Sequence, residues 1–384
     1  MAFKLAWALA GEVSPGARVR PELREFLLDA MALVAIGTVA DAVPLLDENR
    51  ILVHYGLRAL AASPHPGLRA LLRVARLEHG VPSAEDVAFQ LAPRLNAAGR
   101  MGRAELALEL LSCEEEQRAA QLAEALDAEN RRRRALEREV LAQALDGAER
   151  ALAQTDGAAI VSAAPGWHPG VIGIVASRLV ERYHRPAVLI ALDEQGLGRG
   201  SARSIPGVRL HAALARCEDL LLRHGGHAQA AGLEIRAERV EPFRRRLGEA
   251  LAEELASALA APDGPAPLQV DLELPLGTIS ETLVRELECL GPHGLANRPP
   301  LFSASGLRLA APPRAVGGGE HLQLSLAQGG TVRRAIGFRL AGKLPELERG
   351  GALCAAFRPT LSRYGGGTRV ELELADLCPA CPPG

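Results

Sequence analysis

Aromatic residues are scarce in this sequence: phenylalanine, tryptophan and tyrosine together make up 3% of its 384 residues. Stacking of successive bases on aromatic rings therefore cannot be its main way of binding a nucleic acid. An excess of positive charge is lacking too, because the formal net charge is −2. Any contact to nucleic acid must come from local basic patches rather than from an overall positive field.

Long apolar runs are also missing. No stretch reaches the length of a membrane-spanning helix, and no basic segment followed by a short apolar one marks a secretory signal. We therefore expect a cytoplasmic protein with no membrane partner. The length and the 48% hydrophobic content suit two or three globular domains.

Cysteine is used sparingly, with six in the whole chain. They are scattered, apart from Cys378 and Cys381, which form a single Cys-x-x-Cys near the end of the sequence. A zinc site of this type needs a second pair of ligands. We therefore expect this segment to be a tail rather than a metal site.

Two glycine-rich stretches hold most of the residues with useful chemistry. The first runs from Gly198 to Ser204 and the second from His224 to Gly232, and both place glycines beside arginine, serine or histidine. Such residues let a backbone approach an anion closely while N–H, hydroxyl, guanidinium and imidazole groups point at it. The apolar run Ala187–Leu192 before them predicts a buried strand. From the residues alone, an anion site and a pair of glycine turns are equally good interpretations.

Three further features contain candidate ligands. Asp41 lies in a turn of small residues and is either a ligand for a hard cation or a helix cap. The segment Pro93–Met101 is either a fork for phosphate oxygens or a solvated loop. His168 precedes a predicted helix that follows a predicted strand at 158–162, where it could meet a phosphate or serve only the fold.

A long helix is predicted in the middle of the chain. Ser112 and Glu115 predict a capping box at its start, and the segment 155–157 predicts its end. At 1.5 Å per residue this is roughly 60 Å of helix, and its polar surface is typical of a connector between two domains. The basic run Arg131–Arg134 on this helix is either a solvated face or a contact to DNA.

The C-terminal part of the sequence predicts a small β-barrel. A linker rich in proline and glycine, 261–267, precedes three runs in which apolar and polar residues alternate, 268–274, 321–326 and 370–374. Alternation with a period of two, with glycine turns between the runs, is typical of the strands of such a barrel. One helix, 281–290, is expected between the strands.

These motifs together resemble the DHH phosphoesterase superfamily. The segment 200–204 with 224–227 is similar to its DHH-associated domain. The segment 37–45 resembles the fourth DHH motif of the RecJ branch, the single-strand-specific exonucleases. Pro93–Met101 resembles another RecJ signature, and the C-terminal barrel resembles the OB-fold domain of that branch. The resemblance covers nearly the whole chain.

The resemblance implies an α/β fold in four parts: the remnant of a DHH domain (1–104), a long connector helix (105–156), a DHH-associated α/β domain (157–260) and a C-terminal OB-like β-barrel (265–377). It implies a 5′→3′ exonuclease that hydrolyses phosphodiesters of single-stranded DNA in DNA repair and recombination. Single-stranded DNA would be the ligand, with a single-strand-binding protein and a repair helicase as candidate protein partners.

The resemblance also implies the site residues. Asp41 would act in catalysis as a ligand of Mn²⁺ (or Mg²⁺). Phosphate or DNA contacts would come from Arg94, Asn96, Arg100, His168, Arg203, Ser204, Gly225, Gly226 and His227. Among these, Arg203 and His227 are the strongest candidates.

Two motifs of the superfamily do not occur in the sequence: an Asp-x-Asp element and the Asp-His-His triplet. One aspartate cannot hold the two cations that two-metal hydrolysis requires. We therefore expect an N-terminally truncated member that binds DNA but is catalytically incomplete. The alternatives are a non-catalytic protein that binds single-stranded nucleic acid, and a DHH-type phosphodiesterase for oligonucleotides or cyclic dinucleotides. Enzymes of the latter type usually lack an OB-like barrel.

Overall fold

The computed structural model describes five stretches of the chain: residues 1–16, 18–259, 268–347, 350–362 and 367–379. The predicted linker 261–267 and Cys381 lie outside them. Contacts divide the chain into two compact units. The first unit contains Met1–Ser63, His79–Phe89 and Ala266–Gly384, and the second contains Pro64–Glu78 and Gln90–Pro265. This division does not follow the boundary expected at 104/105.

The helices are α1 (Ala2–Glu12), α2 (Pro21–Ala40), α3 (Asp47–Ala61), α4 (Pro66–Val74), α5 (Ala84–Asp86), α6 (Ala92–Arg100), α7 (Ala104–Ser112), α8 (Glu116–Ala153), α9 (Pro169–Tyr183), α10 (Leu210–Ala215), α11 (Val240–Leu259), α12 (Glu281–Glu288) and α13 (Leu344–Leu347). A π-helical turn, Val87–Leu91, precedes α6. No helix in the described residues has both the length and the apolar character needed to cross a membrane.

The strands are β1 (Ile160–Pro165), β2 (Ala187–Leu192), β3 (Leu197–Arg203), β4 (Arg223–Gly226), β5 (Ala230–Arg236), β6 (Leu272–Glu273), β7 (Phe302–Val316), β8 (His321–Gln328), β9 (Thr331–Gly337), β10 (Leu353–Ser362) and β11 (Arg369–Pro379). The predicted strands at 187–192, 321–326 and 370–374 are confirmed. The predicted strand at 158–162 begins two residues later, and only residues 272–273 of the run 268–274 form a strand.

The second unit is built on a five-stranded sheet with the order β1-β2-β3-β5-β4. Its β1–β2 pair is parallel, and the other pairs are antiparallel. On one face, Val188, Ile190 and Leu233 pack with α10 and α11 in a buried apolar cluster. On the other face, Leu189 packs with α9 and the C-terminal half of α8. Strand β4 forms an edge of the sheet, so its backbone is paired on one side only.

Helix α8 is a long packed helix rather than an exposed rod. It contacts α4, α6 and α7, and then α9 and β1. Its start differs from the prediction, because α8 begins at Glu116 with no side-chain cap. Ser112 instead ends α7, where its hydroxyl donates to the carbonyl oxygen of Leu108 at 2.9 Å. The predicted capping box is therefore wrong: the Ser112 hydroxyl serves the last turn of the preceding helix.

The first unit contains the predicted barrel. Strands β7, β8, β9, β11 and β10 pair in that order, and β10 pairs with β7 to close the ring. Inward residues of β8 alternate with outward ones, as the period of two predicts. The α/β fold with a C-terminal barrel is confirmed, and the helix expected at 281–290 is α12, whose first turn is capped by Ser280.

Within this unit the N-terminal helices contact the barrel loop 290–297. The Leu45 N–H donates to the Leu295 carbonyl at 2.8 Å. Arg50 donates to the Leu290 carbonyl at 2.6 Å. These hydrogen bonds join the segment after α2 to the barrel, which explains why residues 1–63 group with it.

Candidate nucleic-acid interface

Strand β3 presents two different faces. Gly198 and Gly200 point into the apolar cluster, where a Cβ would lie 2.7 Å from Cγ2 of Ile190 and 2.6 Å from Cδ1 of Leu233 respectively. A larger residue at either position would therefore force a core side chain to move. Arg199, Ser201 and Arg203 alternate with them and point to the opposite face. The glycine-rich sequence thus packs on one face and places polar groups on the other.

Helix α9 covers β2 and β3 on that polar face. Beyond it, Ser201, Gly232 and Gly225 form a row across β3, β5 and β4. A Cβ on Gly225 would meet no atom within 4 Å, and one on Gly232 would meet only the Gly200 carbonyl oxygen at 3.9 Å. Neither glycine has a positive φ. Packing does not require glycine at either position, and together they leave an open strip of backbone.

Arg203 lies at one end of this strip. Its Nη1 donates to Oγ of Ser201 at 3.0 Å and to the Ala202 carbonyl at 2.8 Å. Gly173 of α9 makes room for it, since a Cβ there would lie 2.9 Å from Arg203 Nη2. Burial, and then the positive charge of Arg100, lowers the pKa of Arg203. Among the described residues, no carboxylate forms an ion pair with Arg203.

Arg100 brings a second guanidinium to the same place from the end of α6. The α6 terminus is docked on the start of α9: a Cβ on Gly170 would lie 2.0 Å from the Arg100 carbonyl oxygen. The Arg100 side chain is exposed, and its Nη1 donates to the Gly170 carbonyl at 3.4 Å. It has no carboxylate partner within the described part of the chain. Two neighbouring guanidiniums without a counter-charge are arranged for an anion.

Asn96 lies one turn before Arg100 on α6 and is also exposed. Residues four apart share one face of a helix. Its amide makes no hydrogen bond to any described residue. Asn96 is therefore available beside Arg100.

His168 has a defined structural role. Its Nδ1 accepts a hydrogen bond from the Gly170 N–H at 3.0 Å and so caps α9. His65 caps α4 in the same way, accepting from the Gly67 N–H at 3.1 Å. The same His-Pro-Gly tripeptide begins both helices, a repeat that the sequence analysis missed. At His168 only Nε2 remains for a ligand.

Three predicted contacts have internal roles instead. The Ser204 hydroxyl is buried and donates to the Val208 carbonyl at 3.3 Å. Gly226 has a φ of 146°, and a Cβ on it would lie 2.4 Å from the Ala230 carbonyl oxygen. Arg94 donates to Oδ1 of Asp127 at 2.8 Å and to backbone carbonyls at 2.6 and 3.4 Å. We therefore leave all three outside the candidate interface.

His227 follows the strip on the turn between β4 and β5. Its N–H donates to the Ala230 carbonyl at 2.8 Å, which closes the turn. Its imidazole is exposed and forms no hydrogen bond within the described residues. Gly225 and His227 therefore keep the accessibility that a contact to phosphate needs.

The basic run on α8 is largely neutralised. Arg131 pairs with Asp127, and Arg132 lies 3.8 Å from Glu129. Arg133 is inside the protein, where it donates to the buried Glu137 at 2.8 Å. These pairs favour the solvated-face interpretation for Arg131 and Arg132, and a packing role for Arg133.

Asp41 lies in the first unit at the C-terminal end of α2. Its N–H continues the helix by donating to the Gly37 carbonyl at 3.1 Å, and its side chain is exposed. Across the described residues, no group of three or more histidine, cysteine, aspartate or glutamate side chains is placed to hold a metal ion. Asp41 therefore has fewer than two such partners among the described residues, which does not fit a divalent-metal site.

Comparison with known families identifies two parts of the chain. A model described as the DHHA1 domain matches residues 156–253, which include the whole candidate interface on β3, β4 and β5. A model described as the RecJ OB domain matches residues 270–376, which include the barrel. The resemblance to the DHH-associated domain and to the RecJ barrel is confirmed.

Whole-chain relatives agree with these matches. The single-stranded-DNA-specific exonuclease RecJ of Bacillus subtilis is 37% identical over 98% of this chain and 46% of its own length. The protein of the same name from Escherichia coli is 34% identical over 92% of this chain and 62% of its own length. A crystal structure of RecJ from Thermus thermophilus in complex with Mg²⁺ matches with a TM-score of 0.75 and 34% identity, over 94% of this chain and 54% of that one.

The chain thus spans between 44% and 65% of the length of the curated relatives it matches. Similarity to them extends through helices, sheet and barrel rather than through one motif. Two domain models match it in the order in which the sequence predicted them. This chain therefore contains a DHHA1 domain and a RecJ OB domain, and it is similar to RecJ exonucleases over nearly its whole length.

Proposed function

We propose that this chain binds single-stranded DNA through its phosphates, and that it is the DNA-holding part of a 5′→3′ exonuclease of DNA repair and recombination. The observation that carries the proposal is the pair of guanidiniums of Arg100 and Arg203, which no carboxylate of the described residues neutralises, beside the open backbone strip of Gly225 and Gly232. The names of the RecJ relatives supply the substrate class. His227, Asn96 and His168 complete the candidate contacts.

The binding mode we propose is electrostatic. Few aromatic rings are present to stack on bases, whereas backbone N–H groups and guanidiniums suit phosphate oxygens. On the barrel, register places Arg314 opposite Gln323, and Arg334, which also lies 3.7 Å from Glu371, opposite Ser325. The outer face of β7, β8 and β9 therefore carries arginines and hydrogen-bonding groups. Binding through phosphates should therefore weaken as salt concentration rises.

The strip can be tested by filling it. Replacing Gly232 with alanine and then with valine should lower affinity for a single-stranded oligonucleotide in steps, by about tenfold or more for valine, since a lost charge-assisted hydrogen bond costs about 1.5–3 kcal/mol. The melting temperature should not fall, because space is open and valine suits a strand. Fluorescence anisotropy and thermal melts measure the two effects. Gly226→Ala is the contrasting control: it should lose stability because of its clash. Wild-type affinity in Gly232→Val would contradict the proposal that the DNA lies along the Gly225–Gly232 strip.

Metal chemistry provides a second test. Thermus RecJ structures were solved with Mg²⁺ or Mn²⁺, and we propose that Asp41 is one ligand of such an ion. Because the described residues form no group of three or more such ligands, the chain alone should bind a 5′-labelled oligonucleotide and not shorten it when Mn²⁺ is added. Asp41→Ala should leave DNA affinity unchanged. Mn²⁺-dependent cleavage by the chain that disappears in Asp41→Ala would contradict this proposal.

A DHH-type phosphodiesterase is the weaker alternative, since the RecJ OB domain match adds a barrel that such enzymes usually lack. A competition assay with a labelled single-stranded oligonucleotide distinguishes the exonuclease interpretation from the phosphodiesterase interpretation. A longer single-stranded oligonucleotide should displace the labelled strand far better than a cyclic dinucleotide does. The reverse order would favour the phosphodiesterase. The third interpretation, a non-catalytic binding protein, predicts the same DNA binding. It gains support if the oligonucleotide stays uncleaved when polypeptides of RecJ relatives that carry the Asp-His-His motif are added to this chain.

A further inference from the structure

We propose that Cys354 and Cys378 are a site of reversible disulfide formation on the outer surface of the barrel, which closes when the protein meets a small-molecule disulfide such as oxidised glutathione. The two residues are directly opposite each other in the antiparallel register of β10 and β11. Residues opposed in this way have Cα atoms about 4.5–5.5 Å apart. Disulfides form over a Cα separation of about 4.4–6.8 Å.

Both side chains are on the same face of these strands. Leu353 and Ala355, on either side of Cys354, point into the barrel core, as does Leu377 beside Cys378. Cys354 is partly exposed and Cys378 exposed. The register shift between the strands falls at Ala356 and Phe357, beyond the cysteine pair. A reagent in solution can therefore reach the pair, and neither strand has to slide for the two sulfur atoms to meet.

The remaining described cysteines are placed differently. Cys217 is fully buried, and burial raises the pKa of its thiol to about 11, which keeps it from forming the reactive thiolate. Cys113 lies just after α7 and Cys289 just after α12, at helix ends rather than in a strand pair. In the described strands, only Cys354 and Cys378 are cysteines in register with each other.

The proposed step is thiol–disulfide exchange. The thiolate of Cys378 attacks one sulfur of oxidised glutathione, forms a mixed disulfide and releases one glutathione thiolate. The thiolate of Cys354 then attacks the Cys378 sulfur, forms the protein disulfide and releases the second glutathione. The two protons lost by the protein thiols go to the two glutathione thiolates. The protein dithiol is oxidised by two electrons, and the glutathione disulfide is reduced by the same two.

Closing the bond ties the last strand to its neighbour. It cross-links the β10–β11 hairpin close to the ion pair between Lys343 and Asp376. A cross-link of this kind restricts the unfolded chain. We expect the melting temperature of the barrel to rise by on the order of 5–10 °C on oxidation, and to return to its starting value with dithiothreitol.

Peptide mapping tests the proposal. The wild-type chain and the variants Cys354→Ser, Cys289→Ser and Cys381→Ser are treated with oxidised glutathione, alkylated, digested and analysed by mass spectrometry. A peptide pair joined through Cys354 and Cys378 should appear in the wild type, Cys289→Ser and Cys381→Ser. The melting-temperature rise should be absent in Cys354→Ser. A disulfide between Cys378 and Cys381 with Cys354 left alkylated, or mixed glutathione adducts alone, would overturn the proposal.

Discussion

Replacing Gly67 with alanine should lower the free energy of unfolding of the second unit by about 3 kcal/mol. A Cβ at this position would lie 1.9 Å from the carbonyl oxygen of Leu110, which belongs to the backbone of α7. A side-chain neighbour could rotate away, but a helix backbone has to move as a whole. Gly170→Ala should act in the same direction, because its Cβ would lie 2.0 Å from the Arg100 carbonyl oxygen.

The chain offers both a probe and a control for this measurement. Trp167 is buried in the second unit, where its Nε1 donates to Gln143 at 2.6 Å, and Trp7 is in the first unit. In a Trp7→Phe background, tryptophan fluorescence during urea unfolding reports on the second unit. Gly147→Ala on α8 is the matched control, since nothing lies within 4 Å of its Cβ. It should gain about 0.5–1 kcal/mol from better helix propensity. Equal changes in the free energy of unfolding for Gly67→Ala and Gly147→Ala would show that the Leu110 backbone does not restrict the side chain at position 67.

The sequence predicted β1, β2, β8 and β11, because alternation and apolar runs are local signals, but it did not predict β3, β4, β5, β7, β9 or β10. It also identified the glycine-rich stretches of the interface. It could not say which glycines serve the core and which serve a ligand, since Gly200 is constrained by Leu233 on another strand, whereas Gly225 is constrained by nothing in the described chain. That distinction requires the positions of atoms distant in sequence.

The wrong or unsupported assignments share one cause. The sequence left Pro93–Met101 as either a fork for phosphate oxygens or a solvated loop, whereas the fold brings Asp127, from the middle of α8, to the Arg94 guanidinium. Ser112 matched a capping box by spacing, but the chain placed it at the end of one helix rather than the start of the next. Short polar side chains such as Ser204 can turn toward either backbone or solvent, and sequence alone does not choose.

Arg100→Gln and Arg94→Gln should separate binding from stability. Arg100→Gln should weaken binding of a single-stranded oligonucleotide about tenfold or more, as expected for a charge-assisted contact to phosphate. The slope of log affinity against log salt should fall by about 0.7. Stability should hold or rise slightly, because Arg100 has no carboxylate partner among the described residues and its charge opposes that of Arg203.

Arg94→Gln should do the reverse. Arg94 and Asp127 have side chains only 15% and 16% exposed, so removing one partner leaves a poorly solvated charge. Arg131 still pairs with Asp127, which limits the expected loss to about 2–3 kcal/mol in the free energy of unfolding. DNA affinity, measured well below the melting temperature, should stay at the wild-type value. Arg94 and Arg100 are six positions apart in one segment, and the sequence gives them the same role. If both variants lost affinity equally with an unchanged melting temperature, Arg94 would be a DNA contact after all, and our division of the segment into a packing arginine and a binding arginine would be wrong.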